Sequence, residues 1–141
     1  MVELTKKHLH LALNFAWEAH KWQVDKGGEP YIFHPLRVSL KFGDLKLRII
    51  ALLHDVVEDS DIKLEQIEIE FGSEVAEAVD YLSRRSGETY WEYIERMKSN
   101  NLAINIKIAD IEDNLLPSRI ESINSKLILR YKKVLQVIGG K

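Results

Sequence analysis

At 141 residues the chain is long enough to bury a real core and has the usual size of one domain, so a single domain over residues 1–141 is expected. The formal charge is only −2, with acids and bases interspersed, which argues against binding to a nucleic-acid polymer or to an anionic membrane surface. The absence of cysteine removes disulfide frameworks and thiolate metal sites; with no apolar stretch of membrane-spanning length and no signal-like start, the cytoplasm is the expected location.

From Leu4 to Val24 apolar residues recur at helical spacing (Leu9, Leu13, Ala16, Trp17), and the polar, glycine-containing segment 25–29 interrupts them. His34 falls in a loop entering a short helix, because Pro35 suits a first helical position and restricts the residue before it; this helix ends near Gly43. Asp44 can cap the next helix, whose apolar run Ile49–Leu53 turns abruptly polar at His54, Asp55, Glu58 and Asp59. Read as a continuous helix, that stretch stacks His54 over Glu58 and Asp55 over Asp59.

A helix from near Lys63 stops at Gly72, and another runs from Ser73 through Leu82. Thr89 and Glu92 have capping-box spacing for a helix through Met97. Asn100 and Asn101 separate it from a helix running from Leu102 to Leu116, which Pro117 closes, and a last amphipathic helix covers Ser125 to Ile138 before Gly139 and Gly140. No strand alternation interrupts this series, so the expected fold class is all-α, a compact bundle of about seven to eight helices.

Three carboxyl groups crowded beside an imidazole at the end of an apolar helix are costly unless a cation neutralises them, and a metal ion does so directly. His34 and Asp110, the latter closing the apolar stretch 106–109, add an imidazole and a carboxylate. Such a mixed nitrogen and oxygen set suits Mn, Fe, Ni or Zn, with the choice made by geometry and availability.

His34-Pro35, then His54-Asp55-Val56-Val57-Glu58-Asp59, then Lys107-Ile108-Ala109-Asp110 followed by Asn114 form an ordered triplet of motifs. This pattern resembles the HD-domain phosphohydrolases, in particular the hydrolase domain of RelA/SpoT-type alarmone enzymes and their small stand-alone relatives. Ala19-His20, Gln23, Lys26, Gly28 and the run from Pro30 to Pro35 extend the match. The resemblance implies that His34, His54, Asp55 and Asp110 hold one divalent metal, commonly Mn2+, and that Glu58 and Asp59 position or activate the attacking water. It implies that Asn114 contacts a nucleotide and that the reaction removes pyrophosphate from the 3′ position of ppGpp or pppGpp. Lys26 and Lys107 are placed to meet phosphates, and Tyr131 is a further substrate contact, as a tyrosine is in some relatives.

One departure bears on the substrate. The family commonly carries Gln-x-Arg-Lys ahead of Pro-Tyr-Ile, with the arginine stacked on guanine, whereas this chain reads Gln23-Val24-Asp25-Lys26. Asp25 cannot stack as a guanidinium does, and its charge repels a polyphosphate. One alternative follows from it, the same chemistry on an adenine analogue, another nucleoside phosphate or a ribose-phosphorylated cofactor; a non-catalytic nucleotide-binding module is a separate alternative, whose sign would be loss of a metal ligand or of the acidic pair, and neither is lost. A homodimer is left open, since small helical domains often pair. Elsewhere the plain reading holds: His20 is structural, Trp17, Trp22 and Trp91 are core or rim aromatics, Arg84-Arg85 is a solvated loop with contact to substrate phosphates as its alternative, and Glu112 and Asp113 form a solvated face.

Overall fold

The computed structural model describes residues 2–120 and 123–139. Helices follow one another as α1 (Lys6–His20), α2 (Phe33–Leu40), α3 (Leu45–Leu53), α4 (Val56–Asp59), α5 (Leu64–Phe71), α6 (Ser73–Leu82), α7 (Tyr90–Met97), α8 (Asn101–Asn114), α9 (Pro117–Ile120) and α10 (Ser125–Gly139). Eight of these match the expected helices, and α4 and α9 are additional single turns of four residues each. No strand forms among the described residues; an isolated bridge pairs Val24 with Pro30. Gly140, expected to follow the last helix, lies outside the described residues.

Local chemistry sets most boundaries. The Asp44 carboxylate accepts from the Leu47 amide at 3.0 Å and starts α3, a cap worth about 1 kcal/mol. Thr89 and Glu92 exchange hydrogen bonds of 3.1 and 2.8 Å at the start of α7, the reciprocal pair that the spacing predicts. Gly72, at φ 91°, divides α5 from α6; the left-handed backbone conformation favours glycine, and a Cβ there would press on Val2 Cβ at 3.2 Å.

Two boundaries differ from the sequence reading. α2 begins at Phe33, two residues before Pro35, so His34 lies inside the first helical turn. A proline is tolerated there because the first four amides of a helix have no intrahelical acceptor. The second difference is a break at His54 and Asp55: α3 ends at Leu53, and Asp55 has φ −107° and ψ 0° before α4 begins. The His54 imidazole donates from Nδ1 to the Ala51 carbonyl at 2.5 Å, competing with the backbone for an acceptor of the last turn. His54 and Asp55 therefore project from a turn.

α3 is the hub. Ile49, Ile50, Ala51, Leu52 and Leu53 are all buried, as expected for a helix covered on every side. It packs against α1, α2, α6 and α8, and α8 in turn packs against α2, α6 and α10. The mutual packing of α2, α3 and α8 brings His34, His54 and Asp110, one from each neighbourhood, to one place.

Candidate metal centre

His34, His54 and Asp110 are buried, and one ligand atom from each lies within 4.8 Å of the others. His34 Nε2 is 2.7 Å from Asp110 Oδ1, and His54 Nε2 is 3.5 Å from the same oxygen. Each imidazole is held through its other nitrogen. His34 Nδ1 is 2.6 Å from Asp113 Oδ2, and His54 Nδ1 donates to the Ala51 carbonyl. A carbonyl can only accept, so the His54 proton is fixed on Nδ1 in the neutral ring and the Nε2 lone pair faces the cluster. His54 Nε2 is buried without a hydrogen-bond partner among the described residues. Two rings with anchored Nδ1 and converging Nε2, beside carboxylate oxygens, fit a divalent cation in donor type and orientation.

Asp55 borders this trio. Its Oδ2 lies 3.1 Å from His54 Nε2 and accepts a short hydrogen bond from the Tyr31 hydroxyl. Tyr31 stacks at a tilt between His20, at 4.8 Å between ring centroids, and His34, at 5.5 Å.

The neighbouring carboxylates favour the protonated form of both imidazoles. Burial works to lower His54, but the Asp55 and Asp110 carboxylates carry it well above its ordinary value; His34 is raised in the same way by Asp110 and Asp113. Burial would raise Asp110, yet Lys107 and the two imidazoles hold it well below the usual carboxylate range. A divalent ion would replace those protons.

The acidic pair divides. Glu58 accepts from the Arg84 amide and lines a cavity of about 180 Å³ with His54, Asp55, Lys107, Arg84 and Arg130. Asp59 turns toward α1, with Oδ2 3.9 Å from His20 Nδ1, and its backbone carbonyl accepts from Gln23. Burial and the Asp55 charge push Asp59 up to about 6, and burial raises Glu58 as well.

The expected substrate contacts also divide. Lys26, Asn114 and Tyr131 line a second cavity of about 390 Å³ together with Tyr31, and Asn114 Nδ2 lies 3.5 Å from the Tyr131 hydroxyl. Lys107 lines the smaller cavity instead and donates to Asp110 Oδ2 at 3.0 Å.

Three expectations are corrected by position. Asp113, read as solvated, is fully buried: beside its contact with His34 it accepts from Arg37 Nε at 2.8 Å and from Arg119 Nη1 at 2.7 Å. Glu112 beside it is exposed. Asp25, read as repelling a polyphosphate, keeps its charge but has it partly offset by Arg119, which it shares with Asp113. Its Oδ1 accepts from the amides of Gly27 and Glu29 at 2.9 and 3.0 Å, and Oδ2 lies 3.7 Å from Arg119 Nε. Trp22, read as core or rim, is 87% exposed. Tyr31 and Arg37 lie outside the sequence reading because their partners Asp55 and Asp113 are 24 and 76 residues away, although Arg37, three residues after His34, carries a local signal; Arg119 pairs with Asp113 only six residues away, but across the break at Pro117.

Residues 12–109 match the family model described as HD domain. The chain is 36% identical to the guanosine-3′,5′-bis(diphosphate) 3′-pyrophosphohydrolase of Aquifex aeolicus (strain VF5), over 77% of this chain and 17% of that protein. It is 34% identical to the bifunctional (p)ppGpp synthase/hydrolase SpoT of Escherichia coli (strain K12), over 77% of this chain and 18% of that one. The chain thus spans about one sixth of the length of the curated relatives it matches, at 17% and 16% for two of them. A solved structure described as a metazoan ortholog of SpoT that hydrolyzes ppGpp superposes with a TM-score of 0.70. That pair covers 96% of this chain and 97% of the other at 24% identity, a likeness of fold. With His34, His54 and Asp55 inside the matched stretch and Asp110 directly after it, the chain belongs to the HD domain family.

Proposed function

We propose that this chain is a metal-dependent phosphohydrolase that removes pyrophosphate from the 3′ position of guanosine tetra- or pentaphosphate, leaving GDP or GTP. One divalent ion, Mn2+, is held by His34, His54, Asp55 and Asp110. The observation that carries this reading is the buried His54 Nε2 converging with His34 Nε2 on Asp110, with both rings held from behind through Nδ1. The activity named for the Aquifex and E. coli relatives supports the substrate class.

A divalent ion in this place supplies Lewis-acid polarisation of a phosphoryl oxygen and of the attacking water. The chain's own residues do the rest. Asp59, ionising at about 6, and Glu58, raised by burial, are suited to take the water's proton near neutral pH. Water adds to the proximal phosphorus, the bond from that phosphorus to the ribose oxygen breaks, and the ribose oxygen takes up a proton. Lys26, Asn114 and Tyr131 in the larger cavity hold the nucleoside end, and Lys107 meets phosphate.

Asp25 and Arg119, both lining the larger cavity, favour a second reading in which the same chemistry acts on another nucleotide, such as an adenine analogue or a ribose-phosphorylated cofactor. Product analysis by anion exchange separates the two. Metal-stripped and Mn2+-reloaded protein is incubated with ppGpp and, in parallel, with its adenine counterpart. Mn2+-dependent release of GDP and pyrophosphate is the expected result. Turnover of the adenine compound alone supports the second reading, and turnover of neither by metal-loaded protein overturns the alarmone assignment.

A further inference from the structure

Among the described residues, the Tyr90 hydroxyl is one of three buried side-chain polar atoms without a hydrogen-bond partner, and the other two are imidazole nitrogens in or beside the metal cluster. Tyr90 lines the smaller cavity of about 180 Å³, which shares no residue with the larger nucleoside cavity. Its ring carries cations. The Arg130 guanidinium lies 4.0 Å and that of Arg84 5.9 Å from its centroid, a spacing at which an aromatic face attracts and orients a guanidinium. Lys107 closes the third side, from 5.4 Å over Tyr93. Three cations and a phenol therefore surround a space whose remaining acid is Glu58, apart from the metal-cluster residues His54 and Asp55.

Such a lining suits an anion rich in oxygen acceptors. Guanidinium groups and a phenol are all donors toward it, and a phosphate accepts from several at once. The wall formed by His54 and Asp55 places that anion next to the reacting phosphorus. A ligand with its nucleoside in the larger cavity and its proximal phosphorus at the cluster would extend its next phosphate into this space. α10 bridges the two, since consecutive residues Arg130 and Tyr131 line different cavities.

We propose that the cavity lined by Arg84, Tyr90, Lys107 and Arg130 is the seat of the distal phosphate of the transferred diphosphoryl group, with Arg130 and Tyr90 as its new binding residues. This rests on the proposed 3′-diphosphate chemistry and deepens it. The cavity makes the enzyme select a diphosphoryl group over a single phosphoryl group, so the product is pyrophosphate and 3′-monophosphates are poor substrates.

The test compares guanosine 5′-diphosphate 3′-diphosphate with guanosine 5′-diphosphate 3′-monophosphate. Dissociation constants are measured by calorimetry on metal-free protein in EDTA, and kcat/KM on Mn2+-loaded protein. Wild type is expected to bind the diphosphate about tenfold or more tightly, the weight of a charge-assisted hydrogen bond. Arg130→Gln should lose most of that ratio, Tyr90→Phe part of it, and Arg130→Lys should retain most of it. Lys133→Gln controls for general charge, since Lys133 lies over Trp91 at 5.4 Å and does not line the cavity. Equal binding of both compounds by wild type, or an undiminished ratio in Arg130→Gln, overturns the assignment. Calorimetric discrimination without turnover of either compound supports the anion seat and overturns the hydrolase reading, so the two fail separately.

Discussion

Replacing Asp113 by asparagine separates the role of its charge from that of its shape. The carboxylate is buried and gathers donors from α2 and α9: His34 Nδ1 at 2.6 Å, Arg37 Nε and Nη2 at 2.8 and 3.0 Å, and Arg119 Nη1 at 2.7 Å. Asparagine keeps one accepting oxygen but puts an amide donor opposite other donors. Breaking a buried ionic network by removing one partner costs about 3–5 kcal/mol. The Arg37 side chain is 39% exposed, so water recovers part of its share and a net loss of about 2–3 kcal/mol is expected. The effect on the metal is distinct. A carboxylate behind a ligating imidazole fixes the ring and raises its basicity, and losing one typically costs about 10–100-fold in affinity, or about 1.4–2.8 kcal/mol. Urea unfolding in EDTA measures the first quantity, and Mn2+ titration of stripped protein the second. Glu112→Gln, one residue away but exposed, should change neither by more than about 0.5 kcal/mol. An Asp113→Asn protein that unfolds more easily yet binds Mn2+ as tightly as wild type would refute the argument, reducing Asp113 to a counterion for two arginines.

Asp55→Ala should abolish both metal content and turnover in a protein that still folds; full metal occupancy in the variant would remove Asp55 from the ligand set. Asp59 gives a pH prediction. Its carboxyl is pushed from 3.8 up to about 6, so the proton-accepting form appears as pH rises through that value and kcat/KM should climb with it, at a somewhat lower pH when a divalent cation is loaded nearby. A raised folded-state value means that Asp59 is best tolerated below pH 4 and costs stability as pH rises through 6. Metal-free Asp59→Asn should therefore be more stable than wild type at pH 8, by about 1 kcal/mol after discounting for a side chain 35% exposed, and indistinguishable at low pH, while losing the kinetic limb. A variant with an unchanged pH profile would assign the proton to another group. Asp25→Asn keeps an acceptor for the Gly27 and Glu29 amides but uncovers Arg119, so KM for guanine and adenine substrates should fall together; a change confined to one base would show that Asp25 reads the base instead.

What could be read in the sequence were features whose cause is local. Asp44, Thr89 with Glu92, and Gly72 act on backbone groups within a few residues of themselves, and all lie where the spacing puts them. The break at His54 was hidden because its causes are side-chain bonds, from His54 to Ala51 and from Tyr31 to Asp55, that a periodic pattern does not carry. Asp113 was misjudged for a related reason. An acid on a helix is assigned to solvent unless a cation is known to meet it, and its partners His34 and Arg37 are 79 and 76 residues away. Yet the spacing held a usable sign. Arg37 follows His34 by three residues on α2, and Asp113 follows Asp110 by three on α8, so each lies on the same helix face as its ligand. When two helices that run in roughly the same direction present one ligand each to a shared ion, the residues one turn further on can also face each other. Opposite charges at those two places can then pair behind the ligands, as the 2.8 Å contact between Arg37 and Asp113 does. An acid and a base at that offset from two suspected ligands are better assigned to each other than to water.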